Sequence, residues 1–361
     1  MTMASFNASE VNLYTASKED VLCYYAISDN DYNGHLGARI SSIFVILLVS
    51  MAFTFFPVIA KGIPKWKIPH NVYIFARYFG TGVILATAFV HLLDPAYKRI
   101  GPRTCVGVSG YWGKYSWCAA IVLASVTGIF LLDLAAEVYV ERKYGIERDE
   151  TVTDAFITQG PNQQAVPSAD CNLNEKEPFQ QGKVSPSPSP SHEPTPSSRS
   201  FDQQIAAFLV LEFGIIFHSV IIGLNLGVTG SEFATLYPVL VLHQSFEGLG
   251  IGARLSAIPF GNHTILPYVL CLAYCLTTPI SIAIGVGLRT VYNPQSKESL
   301  IVQGVFNAVS AGVLIYSALV ELLARDFLFD PDRTRKRARL VYMVFCVLLG
   351  AGIMALIGEW A

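Results

Sequence analysis

Eight long apolar segments run through this 361-residue chain, and they constrain its fold more than any other feature. A helix needs about 20 mostly apolar residues to cross a bilayer, and only helices and closed barrels satisfy their backbone hydrogen bonds there. The segments are residues 40–60, 72–93, 119–141, 205–228, 233–256, 266–290, 299–324 and 337–358. The sequence therefore predicts an all-α integral membrane protein with eight transmembrane helices.

The charge content agrees with a membrane location and excludes several kinds of partner. Charged residues make up 14% of the chain, whereas soluble domains carry about 25%. The 25 Lys and Arg residues nearly balance the 27 Asp and Glu residues, so no basic excess indicates nucleic acid. No Gly-x-x-x-x-Gly-Lys-Ser/Thr loop is present to bind a nucleotide. Seven cysteines are too few and too scattered for a disulfide framework.

The chain divides into four regions: a tail (1–39), three helices (40–141), a linker (142–203) and five helices (204–361). The linker contains the alternating Ser-Pro run 185–191, and its composition cannot bury enough apolar surface to fold. We predict a disordered cytosolic linker. It acts either as a simple tether or, through its Ser-Pro steps, as a target of kinases.

The basic loops predict the orientation, because cytosolic loops are enriched in Lys and Arg. The loop after the first helix and the loop after the seventh lie on one side of an eight-helix protein. They carry Lys61, Lys65, Lys67, Arg325, Arg333, Arg335, Lys336, Arg337 and Arg339. We expect this side to be cytosolic and both termini to be extracellular, although the loop 94–118 also carries four basic residues. Cys105 and Cys118 then lie outside, where a disulfide between them can form.

Two helices carry ionisable groups where a membrane helix should be apolar, and such groups usually mark a functional site. His243 and Glu247 share one helix face at i,i+4 spacing, and Asn225 faces the same way as His218, seven residues earlier. Each of the two histidines lies ten residues from the predicted outer end of its helix, roughly 15 Å deep and near the bilayer middle. Imidazole and carboxylate ligands suit Zn²⁺, Fe²⁺ or Mn²⁺. We therefore predict a metal site between the fourth and fifth helices.

Further polar residues extend this site into a possible route for the ion. His91 and Asp94 lie at i,i+3 spacing near the outer end of the second helix and are candidates for metal capture, or simply a helix-end pair. Glu321 lies near the inner end of the seventh helix. It is either an exit ligand or the partner of Arg325 four residues later. Cys271, together with the cysteine four residues after it, is interpreted as a packing residue.

The segments His218-Ser219-Val-Ile-Ile-Gly223 and His243-Gln244-Ser-Phe-Glu247-Gly248 resemble the paired signatures of the ZIP (Zrt/Irt-like) divalent metal transporters. The resemblance covers the whole chain and is strongest to the fungal and plant branch. It implies a ZIP-like bundle in which helices two, four, five and seven line the pathway. It also implies an inverted repeat, relating the first three helices to the last three, and a homodimer.

The resemblance assigns the main metal ligands to His218, His243 and Glu247. Relatives that bind two metals have carboxylate or amide ligands at positions that are Ser219, Gln244 and Thr278 here, so a complete second site is not predicted. The candidates to complete the first site are Glu212, Asn225 and Gln244.

We interpret the chain as a transporter for uptake of Zn²⁺ across the plasma membrane into the cytosol, with the ion as substrate and no cofactor. An importer of Fe²⁺ or of several divalent metals, with the same fold, is the alternative within this class. The alternative from another class is an intramembrane metal-dependent hydrolase. Such an enzyme favours a His-Glu-x-x-His helix, and Glu247 stands where the second histidine would be.

Overall fold

The computed structural model describes residues 12, 14–17, 21–23, 32–63, 68–108, 111–144, 201–329, 334 and 336–360. The contacts divide the chain into two units, residues 1–134 with 199–361 and residues 135–198. The first unit holds the helical bundle. Of the second, only the end of the third helix is described. The predicted linker and its Ser-Pro run lie outside the described residues, as do Lys65, Lys67, Arg333 and Arg335.

Eight long helices form within the described residues, and no strand is present there. Their bounds are α1 Leu36–Gly62, α2 His70–Ile100, α3 Trp117–Tyr144, α4 Phe201–Val228, α5 Phe233–Ala257, α6 Leu266–Leu288, α7 Lys297–Phe329 and α8 Arg337–Ile357. The predicted all-α fold is confirmed, and every predicted apolar segment falls within one of these helices apart from a few residues at the ends.

Seven of the eight helices are long and apolar enough to cross a membrane by their own composition, and α5 is the exception. Its polar residues explain this: His243, Gln244 and Glu247 are almost completely buried, and Arg254 follows near the end of the helix. A membrane helix with these groups is tolerated when its neighbours in the bundle cover them. Helix α5 therefore carries several of the buried polar and ionisable side chains of the bundle.

The helices pack in two groups, each with its own extensive contacts. In the first group, α4 packs against α6, and α1 packs against both α5 and α6. In the second group, α2 packs against α8 and α7. The groups meet where α2 contacts α5 and where α7 contacts α4. The functional residues described below lie at this boundary.

An internal repeat relates α2 to α7. Residues 80–93 and 310–323 align without a gap and are identical at six positions, for example Gly82 with Gly312 and Leu92 with Leu322. Each helix changes from α to π geometry at the equivalent residue, Thr87 in α2 and Ser317 in α7. Because α2 and α7 run in opposite directions, the repeat is inverted, as the family resemblance implied.

A disulfide joins the tail to the loop after α2 and defines one end of the bundle, called the disulfide end below. It links Cys23 to Cys105, whereas the sequence analysis considered Cys118 as the partner of Cys105. That interpretation is corrected, because the Cys118 thiol is free and packs in an apolar cluster with Ile100 and Val106. The bridge was missed because nothing in the spacing brings residue 23 close to this loop.

Arg39 is fully buried near the start of α1 and holds the end of α4. Its guanidinium donates hydrogen bonds to the backbone carbonyls of Leu226 and Gly227, at 3.0 and 3.2 Å, and to that of Thr229. The ring of Phe233 lies 4.5 Å from the guanidinium carbon. The last carbonyls of a helix lack partners within the helix and carry partial negative charge. Arg39 therefore satisfies them and fixes the start of α1 to the end of α4.

Replacing Arg39 with glutamine should destabilise the protein, because the shorter neutral side chain cannot reach the three carbonyls. Hydrogen bonds to charged groups contribute about 1.5–3 kcal/mol, so we expect a lower melting temperature of the purified protein in detergent. The control is Arg337→Gln at the exposed first residue of α8. Equal melting temperatures for the two variants would contradict the role of Arg39.

Candidate metal centre

Three buried side chains from α4 and α5 converge between the two helices. One ligand atom each from His218, His243 and Glu247 lies within 4.8 Å of the other two. The Nε2 atoms of the two histidines are 3.3 Å apart, and His243 Nε2 lies 3.3 Å from Glu247 Oε1. All three residues are at most 3% exposed. The structure thus brings together the three residues that the sequence analysis named as the main candidate ligands. This group of His218, His243 and Glu247 is called the centre below.

Two of the three separations match the ligand shell of a zinc ion, and the third, between His218 and Glu247, is at most 4.8 Å. With Zn–N distances of 2.0–2.1 Å, two ligands of a tetrahedral ion lie about 3.3 Å apart, which is the distance found for both neighbouring pairs. Glu247 Oε2 and His243 Nδ1 have no hydrogen-bond partner among the described residues. The second carboxylate oxygen therefore remains available to a cation at the centre.

Glycines let the neighbouring helices approach the backs of α4 and α5. A Cβ atom on Gly223 would lie 2.7 Å from Ser281 Cβ in α6, and one on Gly248 would lie 2.6 Å from Thr54 Oγ1 in α1. Both distances are shorter than real side chains adopt. The close packing behind the two helices holds them so that their histidines face each other, and it accounts for the glycines at these positions.

Helix α2 adds two residues to the centre. Thr87 Oγ1 donates a hydrogen bond to Glu247 Oε1 at 3.2 Å. The ring centroid of His91 is 4.8 Å from that of His243, and His91 Nε2 lies 3.2 Å from the carbonyl oxygen of Met354. The sequence analysis missed Thr87 and placed His91 at an outer capture point with Asp94. The structure places the His91 ring beside the group formed by His218, His243 and Glu247.

The π segment of α2 explains why this was missed. Residues 87–93 are π-helical, so the usual angular spacing of 100° per residue does not apply across them. Asp94 pairs with Lys98 at 2.7 Å, with both side chains more than half exposed, and it lines the same cavity as His91. A sequence signal did exist, because the inverted repeat aligns Thr87 and His91 with Ser317 and Glu321.

A cavity of about 650 Å³ leads from the centre to the disulfide end of the bundle. His91, Asp94, His218 and Asn225 are among the residues that line it. Asn225 donates a hydrogen bond through Nδ2 to Gln303 Oε1 at 3.1 Å. The cavity gives an ion a route to the histidines, and it is called the vestibule below.

The opposite end of the bundle is closed below Glu247. Helices α2 and α5 touch there, since a Cβ atom on Gly80 would lie 2.2 Å from Gly250 Cα. Arg254 donates a hydrogen bond to Thr81 Oγ1 at 2.7 Å. Next to it, an ion pair of 2.8 Å joins Arg77 of α2 to Asp326 of α7. In this conformation the centre is open toward the disulfide end and closed by helix contacts toward the other.

The remaining predicted residues lie outside the three-residue group. Glu212 is 3% exposed, and within the described parts of the chain neither carboxylate oxygen has a hydrogen-bond partner. Gln244 Oε1 accepts a hydrogen bond from Thr278 Oγ1 at 3.2 Å. Glu321 forms an ion pair with Arg325 at 3.0 Å, which was one of the two interpretations considered. Metal ligation by Glu212, Gln244 or Asn225 stays a prediction.

A bundle of membrane-length helices around two buried histidines and a glutamate that could hold a metal ion, reached by a vestibule from one end, is typical of a membrane transporter for divalent cations. Comparison with known proteins agrees. The family described as ZIP Zinc transporter matches residues 36–358, and the chain belongs to this family. It is therefore a transporter and not an enzyme.

Several curated relatives cover nearly the whole chain. The chain is 53% identical to zinc-regulated transporter 1 of Saccharomyces cerevisiae, over 99% of this chain and 97% of the relative. It is 41% identical to zinc-regulated transporter 1 of Schizosaccharomyces pombe, over 92% and 88%. It is also 30% identical to Fe(2+) transport protein 1 of Arabidopsis thaliana, over 90% and 86%.

Proposed function

We propose that this protein takes up Zn²⁺ across the plasma membrane into the cytosol, with His218, His243 and Glu247 as the ligands of the transported ion. The observation that carries the proposal is the separation of 3.3 Å between both neighbouring ligand pairs, which fits a tetrahedral zinc ion. The similarity to proteins named zinc-regulated transporters supports the choice of metal.

The direction of transport follows from the side on which the vestibule opens. Disulfides persist in oxidising compartments and are rare in the cytosol, so the Cys23–Cys105 bridge favours an extracellular location for the disulfide end. Lys61 at the end of α1 and Arg337 at the start of α8, two of the residues that the sequence analysis places in the cytosol, lie toward the opposite end. An ion that enters the vestibule therefore comes from outside and must leave toward the cytosol.

The chain's own residues perform three tasks in this mechanism. The vestibule admits the hydrated ion, and the buried ligands replace its water, with neutral imidazoles and an ionised carboxylate as donors. Thr87 holds the Glu247 carboxylate by its hydrogen bond, and the nearby ring of His91 is our candidate for a fourth ligand. Release then requires the contact between Gly80 and Gly250 to open while the vestibule closes, as in other transporters built from inverted repeats.

Uptake of radioactive ⁶⁵Zn²⁺ by intact cells that lack their own zinc importers tests the proposal. We expect saturable accumulation that exceeds the empty-vector control. Addition of unlabelled Fe²⁺, Mn²⁺ or Cd²⁺ in parallel ranks the metals, because borderline ions share these ligands. Accumulation no greater than with empty vector would overturn zinc uptake, and stronger competition by Fe²⁺ than by unlabelled Zn²⁺ would replace zinc with iron as the preferred substrate.

A further inference from the structure

Two buried amide oxygens in the wall of the vestibule have no hydrogen-bond partner. Asn225 of α4 and Asn307 of α7 both line the cavity, and over the described residues the Oδ1 atom of each is unpartnered. Asn307 is 3% exposed, and the sequence analysis assigned it no role. A buried polar atom without a partner costs free energy, so these two oxygens require an explanation.

The orientation of the Asn225 amide is fixed by its neighbour Gln303. Gln303 Nε2 lies within 3.2 Å of the hydroxyl groups of Tyr292 and Ser299 and of the carbonyl oxygen of Pro294, which can only accept. Gln303 must therefore turn its own oxygen toward Asn225, and Asn225 must donate to that oxygen through Nδ2. The Asn225 oxygen is left as an acceptor for which the described residues supply no donor.

The two amides lie at successive depths between the disulfide end and the centre. Helices α4 and α7 are antiparallel, since the contact of Gly214 with Leu314 lies eleven residues from the Asn225 contact along both helices, in opposite directions. In this register Asn307 lies about 6 Å deeper than Asn225 and about 4.5 Å short of the level of His218. An ion that moves inward therefore passes Asn225 first, then Asn307, and then reaches the imidazole.

The charged side chains around the vestibule favour a cation as the ligand. Among the lining residues the carboxylates outnumber the basic groups, with Asp94, Glu232 and Glu359 against Lys98 and Arg99. Lys98 is also paired with Asp94 at 2.7 Å. Carboxylate and amide oxygens are ligands of hard cations and of the water around them. A divalent cation with its water shell therefore fits the two unpartnered oxygens.

We propose that Asn225 and Asn307 form an outer site, which holds the incoming divalent cation with its water shell before the imidazoles bind it. Water bound to the ion donates to both amide oxygens and supplies the partners that they lack. Such a site accepts Ca²⁺ as well as Zn²⁺, and discrimination follows at the centre, because Ca²⁺ takes oxygen ligands and does not favour imidazole. The inference rests on the proposed transport function and assigns Asn225 to the outer site, not to the centre.

Competition by Ca²⁺ tests the outer site in cells. Weak extracellular oxygen sites bind Ca²⁺ at about 10⁻⁴–10⁻³ M, so millimolar Ca²⁺ should raise the KM for ⁶⁵Zn²⁺ uptake and leave the maximal rate unchanged. Asn307→Leu should abolish this inhibition and should itself raise the KM about two- to tenfold, the effect of one hydrogen bond. Asn307→Asp, which keeps an oxygen at the same place, should retain the inhibition.

The matched control is Asn262→Leu, at an exposed asparagine in the loop between α5 and α6. This variant should keep the wild-type KM and the wild-type response to Ca²⁺, so that any general effect of Ca²⁺ on the membrane surface is the same in all proteins. Equal inhibition of wild type and Asn307→Leu would overturn the outer site, because the amide oxygens would then hold water only. A wild-type protein that Ca²⁺ does not inhibit would overturn it as well.

Zinc binding to the purified protein supplies a second measurement, which does not depend on transport. The double variant Asn225→His with Asn307→His replaces both oxygens with imidazoles, which suit Zn²⁺, and calorimetry should detect one more bound zinc per protein than in wild type. Neither single variant should add an ion. A double variant that binds no more zinc than wild type would show that the two residues do not share a site. An added ion in a protein without zinc uptake would reject the proposed function and leave the outer site in place.

Discussion

Replacement of His243 by alanine is expected to abolish zinc uptake. His243 Nε2 lies 3.3 Å from both His218 Nε2 and Glu247 Oε1, so its loss leaves His218 and Glu247 without the residue that connects them. Removal of a group that only supports a ligand weakens metal binding by about 10–100-fold, and we expect loss of a ligand to exceed that range. The measurements are ⁶⁵Zn²⁺ uptake by cells and zinc binding to the purified variant by calorimetry.

The matched control is His263→Ala. His263 is exposed and stacks on Phe201, with a centroid distance of 5.5 Å, away from the centre. Its substitution should leave uptake and zinc binding unchanged. If His243→Ala retained wild-type uptake at wild-type surface abundance, the transported ion would not pass through the centre described above.

Replacement of Gly250 by alanine should have the second large effect, and it acts through packing. The added Cβ atom would lie 2.7 Å from Gly80 Cα, and backbone cannot move aside as a flexible side chain can. Overpacking costs about 1–3 kcal/mol, occasionally more, and we expect the upper part of that range. The melting temperature in detergent should fall, and uptake should fall with it because α2 and α5 can no longer close the end below Glu247.

Gly352→Ala in α8 is the control for this variant, since a Cβ atom at Gly352 meets no atom within 4 Å. Alanine is favoured over glycine inside a helix by up to about 1 kcal/mol, so this change should not lower the melting temperature. A Gly250→Ala protein as stable and as active as Gly352→Ala would show that α2 and α5 do not need to touch.

The fold could be predicted from the sequence because membrane helices follow a simple physical rule. Length and apolar composition gave all eight segments, 233–256 included, although only seven of the described helices are apolar enough to cross a membrane by their own composition. The pairing of Cys23 with Cys105 could not be predicted. The pairing depends on where the N-terminal tail contacts the bundle, and the spacing of residues in the sequence carries no information about that contact.

The centre was predictable to the extent that it obeys α-helical spacing. His243 and Glu247 share a face at i,i+4, and their match in depth with His218 followed from the constant rise of a helix. Thr87 and His91 were missed as members of the centre because the π segment 87–93 changes the spacing. The repeat between residues 80–93 and 310–323 would have indicated that these two positions are special.

Zinc flux into liposomes that contain only the purified protein tests the central claim most directly. An entrapped fluorescent zinc indicator reports influx, and wild type, His243→Ala and His263→Ala are compared at equal protein content. The account predicts saturable influx for wild type and His263→Ala, and influx no greater than in protein-free liposomes for His243→Ala. Equal influx through wild type and His243→Ala would contradict it.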